Sequence, residues 1–373
     1  MNISLLDELA CPSSLTGTRC LGKLQLAALP QPRFDPAKPD ELIESRLECQ
    51  ECGMSYLVLC GVAILIPDTN TYLQRSYKDI LSLALEHGIS ISPEMLTHLH
   101  KVGAHIEPST RNTPGEDNPR AISSYLRAHY DTGASLSGKN LPPNHPLLDF
   151  FQAYHEKDLY HVLLSMFATY LPKSAKIIDI GCHVGRLTRD LAEQEHSVLG
   201  IDTSFAAVFL ARRAVRGWPT QLNEYEYFRD GNRREMRKLN LPPLNKGEVL
   251  VASAMQLPFR PETFQAAISA NVIDILPDPI AYLREMRTVL RDGGIMGIST
   301  PYHSGASQAA ARWLGANSHM DASQALRWRI GHHFEIIEEQ DLVPWVLSEH
   351  ERRFQIYLNH CIIARKSASV VKK

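Results

Sequence analysis

The chain has 373 residues, a hydrophobic share of 44%, a charged share of 21% and a formal net charge of −2 at pH 7. This length allows one large domain or two to three ordinary ones, and the composition is that of a globular protein. The near-neutral charge gives no electrostatic support for a nucleic-acid partner. No apolar stretch approaches roughly 18 residues, and the acidic N-terminus does not suit a secretion signal, so we expect a cytoplasmic protein without a membrane partner.

The first 68 residues carry a cysteine pattern that is typical of a small metal-binding module. A Cys-Pro pair begins at Cys11, and the sequence Cys49-x-x-Cys52-Gly follows much later. In a reducing compartment such a pair indicates metal or redox chemistry. The order resembles the zinc-ribbon-like domain of the Trm112 type, in which the first knuckle is usually Cys-Pro-x-Cys, but Ser14 occupies the second cysteine position here. Either Cys20 supplies a fourth thiolate for a structural zinc, or the module has lost its metal and persists as a packed β-module. We expect an architectural role, with partner or substrate contact as the alternative.

Residues 69–172 are predicted to form a helical connector. The apolar spacing between residues 70 and 99 indicates helix, and Pro93 divides this stretch into two helices. A further helix over residues 147–170 precedes the first strand of the next domain, where it would pack across a ligand pocket.

A lid is predicted within this connector. Residues 106–120 and 133–146 are loops by composition, and they flank a short aromatic helix over residues 121–130. The helix carries Tyr125 and Tyr130, which would close over a bound substrate.

A nucleoside-binding βαβ unit begins the catalytic domain, which we place at residues 173–366. A short apolar strand runs into a turn with Gly181 and Gly185, a helix follows, and a second apolar strand ends at Asp202. Glycine lets the backbone approach a ligand closely, and the carboxylate of Asp202 can accept hydrogen bonds from both hydroxyls of a ribose. An ordinary strand and turn without a ligand is the alternative.

The pattern favours S-adenosylmethionine over a dinucleotide. A dinucleotide fingerprint expects a third glycine, whereas the Asp179-x-Gly181 opening resembles class I methyltransferases, in which an acidic residue lies close to the cationic methionine end of the cofactor. The candidate cofactor-binding residues lie at predicted strand ends or in the glycine turn: Asp179, Gly181, Cys182, Gly185, Arg186, Asp202, Thr203, Ser253, Ala254 and Asn271.

The remaining elements predict an α/β fold, a Rossmann-like class I methyltransferase with a mostly parallel seven-stranded sheet and the β-rich module at its front. Residues 221–247 are expected to be a surface insertion with a solvated helical face, and residues 367–373 a disordered tail. After the third strand, Ser253 stands where many such enzymes have an aspartate that contacts adenine. Asn271 and Asp274 follow the fourth strand, where a parallel sheet places its chemistry, although both residue types also cap helices.

Several phrases resemble the methyltransferase half of the ovothiol biosynthesis enzymes. The resemblance covers roughly residues 121–365, and the phrases occur in the same order: Tyr125–Tyr130, Gly181–Arg186, Ala270–Asp274, Thr300–Tyr302, Trp313–Gly315 and His350–Gln355. It implies a stand-alone enzyme that methylates a ring nitrogen of a thio- or selenohistidine made by a separate sulfoxide synthase. The chain departs from the family because the sulfoxide-synthase half is absent and His183 stands where a small residue is usual.

Selectivity is the chemical difficulty of such a reaction. Neutral imidazole is a competent nucleophile that needs little basic help, but a thiolate on the same ring is a stronger one and must be held away from the methyl group. The candidate catalytic residues, which would fix the ring or close over it, are Asn271, Asp274, Tyr302, His303, Tyr125 and Tyr130. Arg186 and Arg353 are weaker candidates for binding the substrate carboxylate.

Two other functions fit parts of the pattern. A methyltransferase acting on ribosomal or transfer RNA could carry a zinc ribbon, but it predicts a basic face that the charge balance does not support. A non-catalytic scaffold with a degenerate methyltransferase fold would explain Ser14 and Ser253, but not the retention of Asp179, Gly181 and Asp202.

Overall fold

The structure is a computed structural model that describes residues 1–15, 18–103, 119–130, 144–154, 158–303, 313–316 and 319–368. Most of the two predicted loops around the lid helix and the last five residues of the predicted tail lie outside these ranges. Among the described residues, no helix is long and apolar enough to cross a membrane.

The N-terminal module is built from strands after a short 3-10 helix at Ile3–Asp7. Its strands are β1 (Ser14–Leu15), β2 (Thr18–Arg19), β3 (Leu24–Leu26), β4 (Arg33–Asp35), β5 (Lys38–Cys49), β6 (Ser55–Leu59) and β7 (Val62–Leu65). All four residues of β7 are buried, as expected for a strand that is covered on both faces.

The described residues of the connector include five helices. Its helices are α1 (Thr69–Glu86), α2 (Pro93–Gly103), α3 (Pro119–Tyr130), α4 (Leu148–Tyr154) and α5 (Leu159–Ala168). The expected single helix over residues 147–170 is two helices, and the second begins where the Asp158 carboxylate caps it by accepting from the His161 backbone N–H at 2.8 Å.

The catalytic domain alternates strands and helices before it closes with a long hairpin. Its elements are β8 (Lys176–Ile180), α6 (Arg186–Glu193), β9 (Ser197–Asp202), α7 (Phe205–Arg216), β10 (Glu224–Phe228), β11 (Arg234–Lys238), β12 (Glu248–Ala252), β13 (Phe264–Ala270), α8 (Pro279–Val289), β14 (Leu290–Thr300), α9 (Ala322–Gly331), β15 (Phe334–His350) and β16 (Arg353–Lys366).

Seven of the described strands of this domain form the predicted mostly parallel sheet, in the order β15-β16-β14-β13-β8-β9-β12, and β10 and β11 form a separate pair. The five from β14 to β12 are parallel, and β15 and β16 are antiparallel at one edge. The predicted Rossmann-like fold is therefore confirmed.

Apart from the short pair of β1 and β2, the strands of the module do not form a separate sheet. Its strand β7 pairs in parallel with β12, with Ile64 opposite Val251, so the catalytic sheet continues through β7, β6, β5 and β3. This pairing covers an edge that would otherwise expose unpaired backbone groups.

Buried charges also join the module to the sheet. Arg212 of α7 is fully buried and forms ion pairs with Glu41 of β5 and Glu248 of β12. Burial opposes ionisation of Glu41, but Arg212 and its other cationic neighbours lower the pKa of this carboxyl to about 2. The three side chains therefore act as a charged clamp between two parts of the chain that are distant in sequence.

The expectation of a helical face within residues 221–247 was wrong. This segment contains an antiparallel hairpin of β10 and β11, in which Glu224 lies opposite Lys238. The alternation in Glu224-Tyr-Glu-Tyr has a period of two, which places Tyr225 and Tyr227 in the core and the glutamates outside. The high charge content concealed this strand pattern.

Candidate active site

A cavity of about 190 Å³ opens at the carboxyl ends of the central parallel strands. Open parallel sheets bind ligands at this edge because the strand order reverses there. The cavity is lined by residues from the ends of β8, β9, β12 and β13, from helices α3 and α5, and from the β15–β16 hairpin.

The glycine turn forms the floor of this cavity. The backbone N–H groups of Gly181 and Cys182 both donate to the Ile201 carbonyl, at 2.8 and 2.9 Å. Gly181 has a φ of 80°, and a Cβ at this position would lie 2.1 Å from a methyl group of Val272. Only glycine fits this left-handed, crowded position, so the turn brings bare backbone to the ligand.

The Asp202 carboxylate stands beside this turn. Its Oδ2 accepts from the His183 backbone N–H at 3.1 Å, and its Oδ1 accepts from the Ser204 backbone N–H at 2.9 Å. Each carboxylate oxygen has further lone pairs, so Asp202 can also accept from the two hydroxyls of a ribose.

Asp179 provides a second carboxylate at the end of β8. Its Oδ2 accepts from the Thr188 hydroxyl at 2.7 Å, whereas its Oδ1 has no hydrogen-bond partner among the described residues. Burial raises the pKa of Asp179 to about 7. A cationic ligand placed beside it would restore the ionised form.

The loop after β12 contacts both the cavity and the N-terminal module. Ser253 and Ala254 line the cavity. Two residues later, the Gln256 side chain donates to the Ser14 hydroxyl at 2.6 Å. Arg19 contacts the same loop by donating to the Leu257 carbonyl. The module therefore supports the backbone beside the predicted adenine contact.

Polar side chains follow β13 on the opposite side. The Asn271 side-chain oxygen accepts from the Ser299 hydroxyl at 3.1 Å. Asp274 is 3% exposed, and its Oδ1 has no partner among the described residues. Burial raises the pKa of Asp274 to about 6, although His303 works in the opposite direction. Asn271, Asp274 and His303 all line the cavity.

Aromatic rings enclose the cavity above these groups. The Tyr125 ring lies 3.9 Å from that of His183, and the Trp345 ring lies 6.1 Å from Tyr125 and 5.4 Å from Tyr357. At these centroid distances the rings contact one another directly, so they form a continuous aromatic wall against which a planar ligand can stack.

Residues 151–343 match the model of a protein family that is described as a methyltransferase domain. This chain belongs to that family. It therefore carries a methyltransferase domain, and S-adenosylmethionine is the cofactor of this fold.

Individual relatives are distant. A ubiquinone biosynthesis O-methyltransferase from Dinoroseobacter shibae is 26% identical over 155 residues, which cover 39% of this chain and 52% of the relative. An uncharacterised methyltransferase from Schizosaccharomyces pombe is 27% identical over 127 residues, which cover 34% of this chain and 39% of the relative. The methyltransferase thus spans about half or less of the curated relatives it matches. A methyltransferase structure from Methanosarcina mazei is 23% identical, with a TM-score of 0.38 over 56% of this chain and 99% of that one.

Among the wall residues that the sequence reasoning missed, four carry rings: His129, Tyr160, Trp345 and Tyr357. His129 lies one helical turn after Tyr125, so the lid helix could have indicated it. Tyr160 contacts His129 Nε2 at 2.7 Å. Burial lowers the pKa of His129 well below its usual value, with His183 and Arg186 contributing, so this ring is neutral.

Other predicted residues lie outside the cavity wall. Tyr130 donates to the Val184 carbonyl at 2.7 Å, and Tyr302 bonds His360 Nδ1 at 2.6 Å. Gly185 caps α6, where a Cβ would lie 2.9 Å from Ala211. Arg186 pairs with Asp190 at 2.5 Å. Outside the wall as well, the largely exposed Arg353 pairs with Glu349 at 3.1 Å. These residues shape the scaffold around the cavity, because their polar atoms are already engaged.

The remaining predicted cofactor residues, Cys182 and Thr203, line the cavity beside Asp202. The Cys182 side chain is buried, and burial raises the pKa of its thiol well above the usual value. It therefore contributes shape rather than a thiolate.

The four predicted metal ligands come together in the N-terminal module. The sulfur atoms of Cys11, Cys20, Cys49 and Cys52 all lie within 4.8 Å of one another. The Cys11–Cys52 and Cys20–Cys49 sulfur pairs are each 3.6 Å apart. A tetrahedral zinc with bonds of about 2.3 Å would place its sulfur ligands ~3.8 Å apart, so this donor set fits zinc. Ser14 points elsewhere, to Gln256.

Proposed function

We propose that this methyltransferase acts on a ring nitrogen of a thio- or selenohistidine. The observation that carries the proposal is the aromatic wall of Tyr125, His183 and Trp345, which lines the same cavity of about 190 Å³ as the Asp274 carboxylate. A planar five-membered ring can stack against this wall while its polar atoms meet the carboxylate. The resemblance of residues 121–365 to the ovothiol enzymes supports the same acceptor.

The cofactor, when bound, supplies a methyl group on a positively charged sulfur. Asp202 would hold its ribose, Asp179 would face its cationic amino-acid end, and the Gly181 turn would let it lie against the backbone. The enzyme then mainly has to hold the acceptor nitrogen in line with the methyl carbon.

Asp274 has a chemical role in this proposal. A thiolate on the ring stabilises the protonated imidazole and raises its pKa. The attacking nitrogen must then lose its proton, and a nearby carboxylate with a pKa of about 6 can accept it near neutral pH. Asn271 and His303 line the cavity on the same side and would orient the ring.

The test is mass spectrometry of the purified protein incubated with S-adenosylmethionine and one acceptor at a time: 5-thiohistidine, histidine, a catechol or bulk RNA. We expect thiohistidine to gain one methyl group. Methylation of the catechol or the RNA alone would contradict the proposal, and no methylation with no cofactor binding would favour a scaffold. Asp274→Asn should lower kcat about 100-fold or more while it leaves cofactor affinity unchanged. The control is Glu224→Gln, which neutralises an exposed carboxylate on β10.

We also propose that the N-terminal module is a Trm112-like ribbon with a structural zinc on Cys11, Cys20, Cys49 and Cys52. Its support is the closeness of the four sulfur atoms. Metal analysis of protein purified without added zinc should give about one zinc per chain. If the protein is metal-free and added zinc does not change its melting temperature, the alternative of a packed module that has lost its metal is favoured.

We also propose that an enzyme that forms a carbon–sulfur bond acts before this one in the reaction sequence. A ring methyltransferase does not itself introduce the sulfur, so a separate sulfoxide synthase would make the thiohistidine. Co-expression of the two enzymes should yield the methylated product, which neither enzyme should produce alone.

A further inference from the structure

Trp345 belongs to the part of the β15–β16 hairpin that extends past the end of β14. The register pairs Trp345 with Tyr357, whereas β14 ends with Thr300 opposite His360. Trp345 is 5% exposed and lines the cavity. Its indole nitrogen has no hydrogen-bond partner among the described residues. Buried indole N–H groups normally find a partner, and a ligand in the cavity would supply one.

The other unpartnered atoms in this wall have a different character. They are an oxygen of Asp179, an oxygen of Asp274 and Nδ1 of His129. A carboxylate oxygen is an acceptor when ionised, and the role of the imidazole nitrogen depends on its tautomer. Within this described set, the Trp345 N–H is the atom that donates in every protonation state.

The acceptor in the proposed function presents two nucleophiles on one ring. When the ring nitrogen attacks, its lone pair forms the new N–C bond, the C–S bond of the cofactor breaks, and that electron pair leaves the cofactor as a neutral thioether. The same displacement at the thiolate would give a thioether on the ring instead. A thiolate is the better nucleophile, so nitrogen selectivity requires a group that binds the sulfur.

We propose that the indole N–H of Trp345 donates a hydrogen bond to the thiolate of the acceptor and thereby directs methyl transfer to nitrogen. This inference rests on the proposed thiohistidine acceptor. The hydrogen bond ties up a sulfur lone pair and fixes the rotation of the acceptor ring in its plane. The Tyr125 and Tyr357 rings pack beside Trp345 and hold its indole in position. Trp345 is therefore a specificity-determining residue.

The test is the ratio of N-methyl to S-methyl product from 5-thiohistidine, resolved by liquid chromatography and NMR. Trp345→Phe keeps an aromatic ring in the wall and removes the N–H. We expect the ratio to fall about 10- to 100-fold, as for the loss of one hydrogen bond to a charged group. Trp328→Phe is the matched control, because it removes an indole N–H from a largely exposed ring that does not line the cavity, and it should leave the ratio unchanged.

A second measurement uses the unaltered protein, in case Trp345→Phe does not fold. The chain has 4 tryptophans, so selective labelling gives a small set of indole N–H signals. In the presence of S-adenosylhomocysteine, we expect thiohistidine to move one of these signals strongly downfield, and histidine to leave it in place.

The possible results distinguish a wrong acceptor from a wrong role for Trp345. If the unaltered enzyme does not methylate thiohistidine, the proposed acceptor is wrong. If it does, and Trp345→Phe keeps the same product ratio or no indole signal responds to the sulfur, the assignment of Trp345 is overturned while the proposed function stands.

Discussion

Ionisable groups are buried in two regions: the junction between the module and the sheet, and the wall of the cavity. The two regions differ in whether these groups have partners. At the junction, Arg212 pairs with Glu41 and Glu248. In the cavity, Asp179 and Asp274 each keep one oxygen without a partner among the described residues. Paired charges hold two parts of a chain together, whereas unpaired ones retain free capacity for a ligand. We therefore expect substitutions at the junction to change stability, and substitutions in the cavity to change binding and turnover.

The largest effect is expected for Arg212→Ala. Removing this cation takes away the ion pair of the buried Glu248 and leaves Glu41 with Arg216 as its arginine partner, which should lower the free energy of unfolding by about 3–5 kcal/mol. Chemical denaturation measures this change. The control is Arg234→Ala, which removes an exposed ion pair with Glu226 and should change stability by about 0.5 kcal/mol or less. Equal effects of the two substitutions would contradict the distinction between junction and surface.

Asp202→Ala should act on cofactor binding. Loss of the hydrogen bonds to two ribose hydroxyls should weaken the affinity for S-adenosylmethionine about 100-fold. Isothermal titration calorimetry measures it, with S-adenosylhomocysteine as a second ligand that shares the ribose. Undiminished binding of both ligands would show that the ribose lies elsewhere.

The pH dependence of cofactor binding tests Asp179. Because burial raises its pKa to about 7, the free protein holds a proton there that a cationic ligand must displace. Affinity for S-adenosylmethionine should therefore fall as the pH decreases from 7 to 5, by up to about tenfold per unit. Asp179→Asn should flatten this profile, and a slope that survives the substitution would assign the proton to another group.

The same carboxyl affects the stability of the free protein with the opposite sign. Its pKa is raised on folding, so the native state binds a proton that the unfolded state releases above about pH 4. The contribution of Asp179 to the free energy of unfolding therefore decreases as the pH rises from about 4 to about 7. Asp179→Asn should remove this decrease.

The smallest effect is expected where the two regions touch. Arg19 of the module pairs with Glu285 at 2.9 Å and donates to the Leu257 carbonyl, a few residues after Ser253. Arg19→Ala should weaken S-adenosylmethionine binding two- to fivefold, roughly the contribution of one modest contact. Calorimetry against Lys23→Ala, which breaks an exposed pair with Asp7 in the same module, separates this local support from a general effect of lost charge.

Local patterns in the sequence predicted the core of the site. The turn at Gly181, the carboxylate of Asp202 and the polar positions after β13 all follow from strand and turn signals that span a few residues. Trp345 and Tyr357 could not be predicted in this way, because they reach the cavity only through a long hairpin whose register has several irregularities. The pairing of Ile64 with Val251 is equally hidden from local signals, since parallel pairing has no short-range signature.

The pairing of β7 with β12 has a consequence for how this protein behaves at low concentration. A strand supplied by a separate subunit would leave the sheet whenever the protein was diluted below its dissociation constant. Here the strand is tethered to the sheet by the same polypeptide, so its effective concentration is fixed by the connector and not by the number of molecules in solution. The sheet should keep its cover even when very few copies are present.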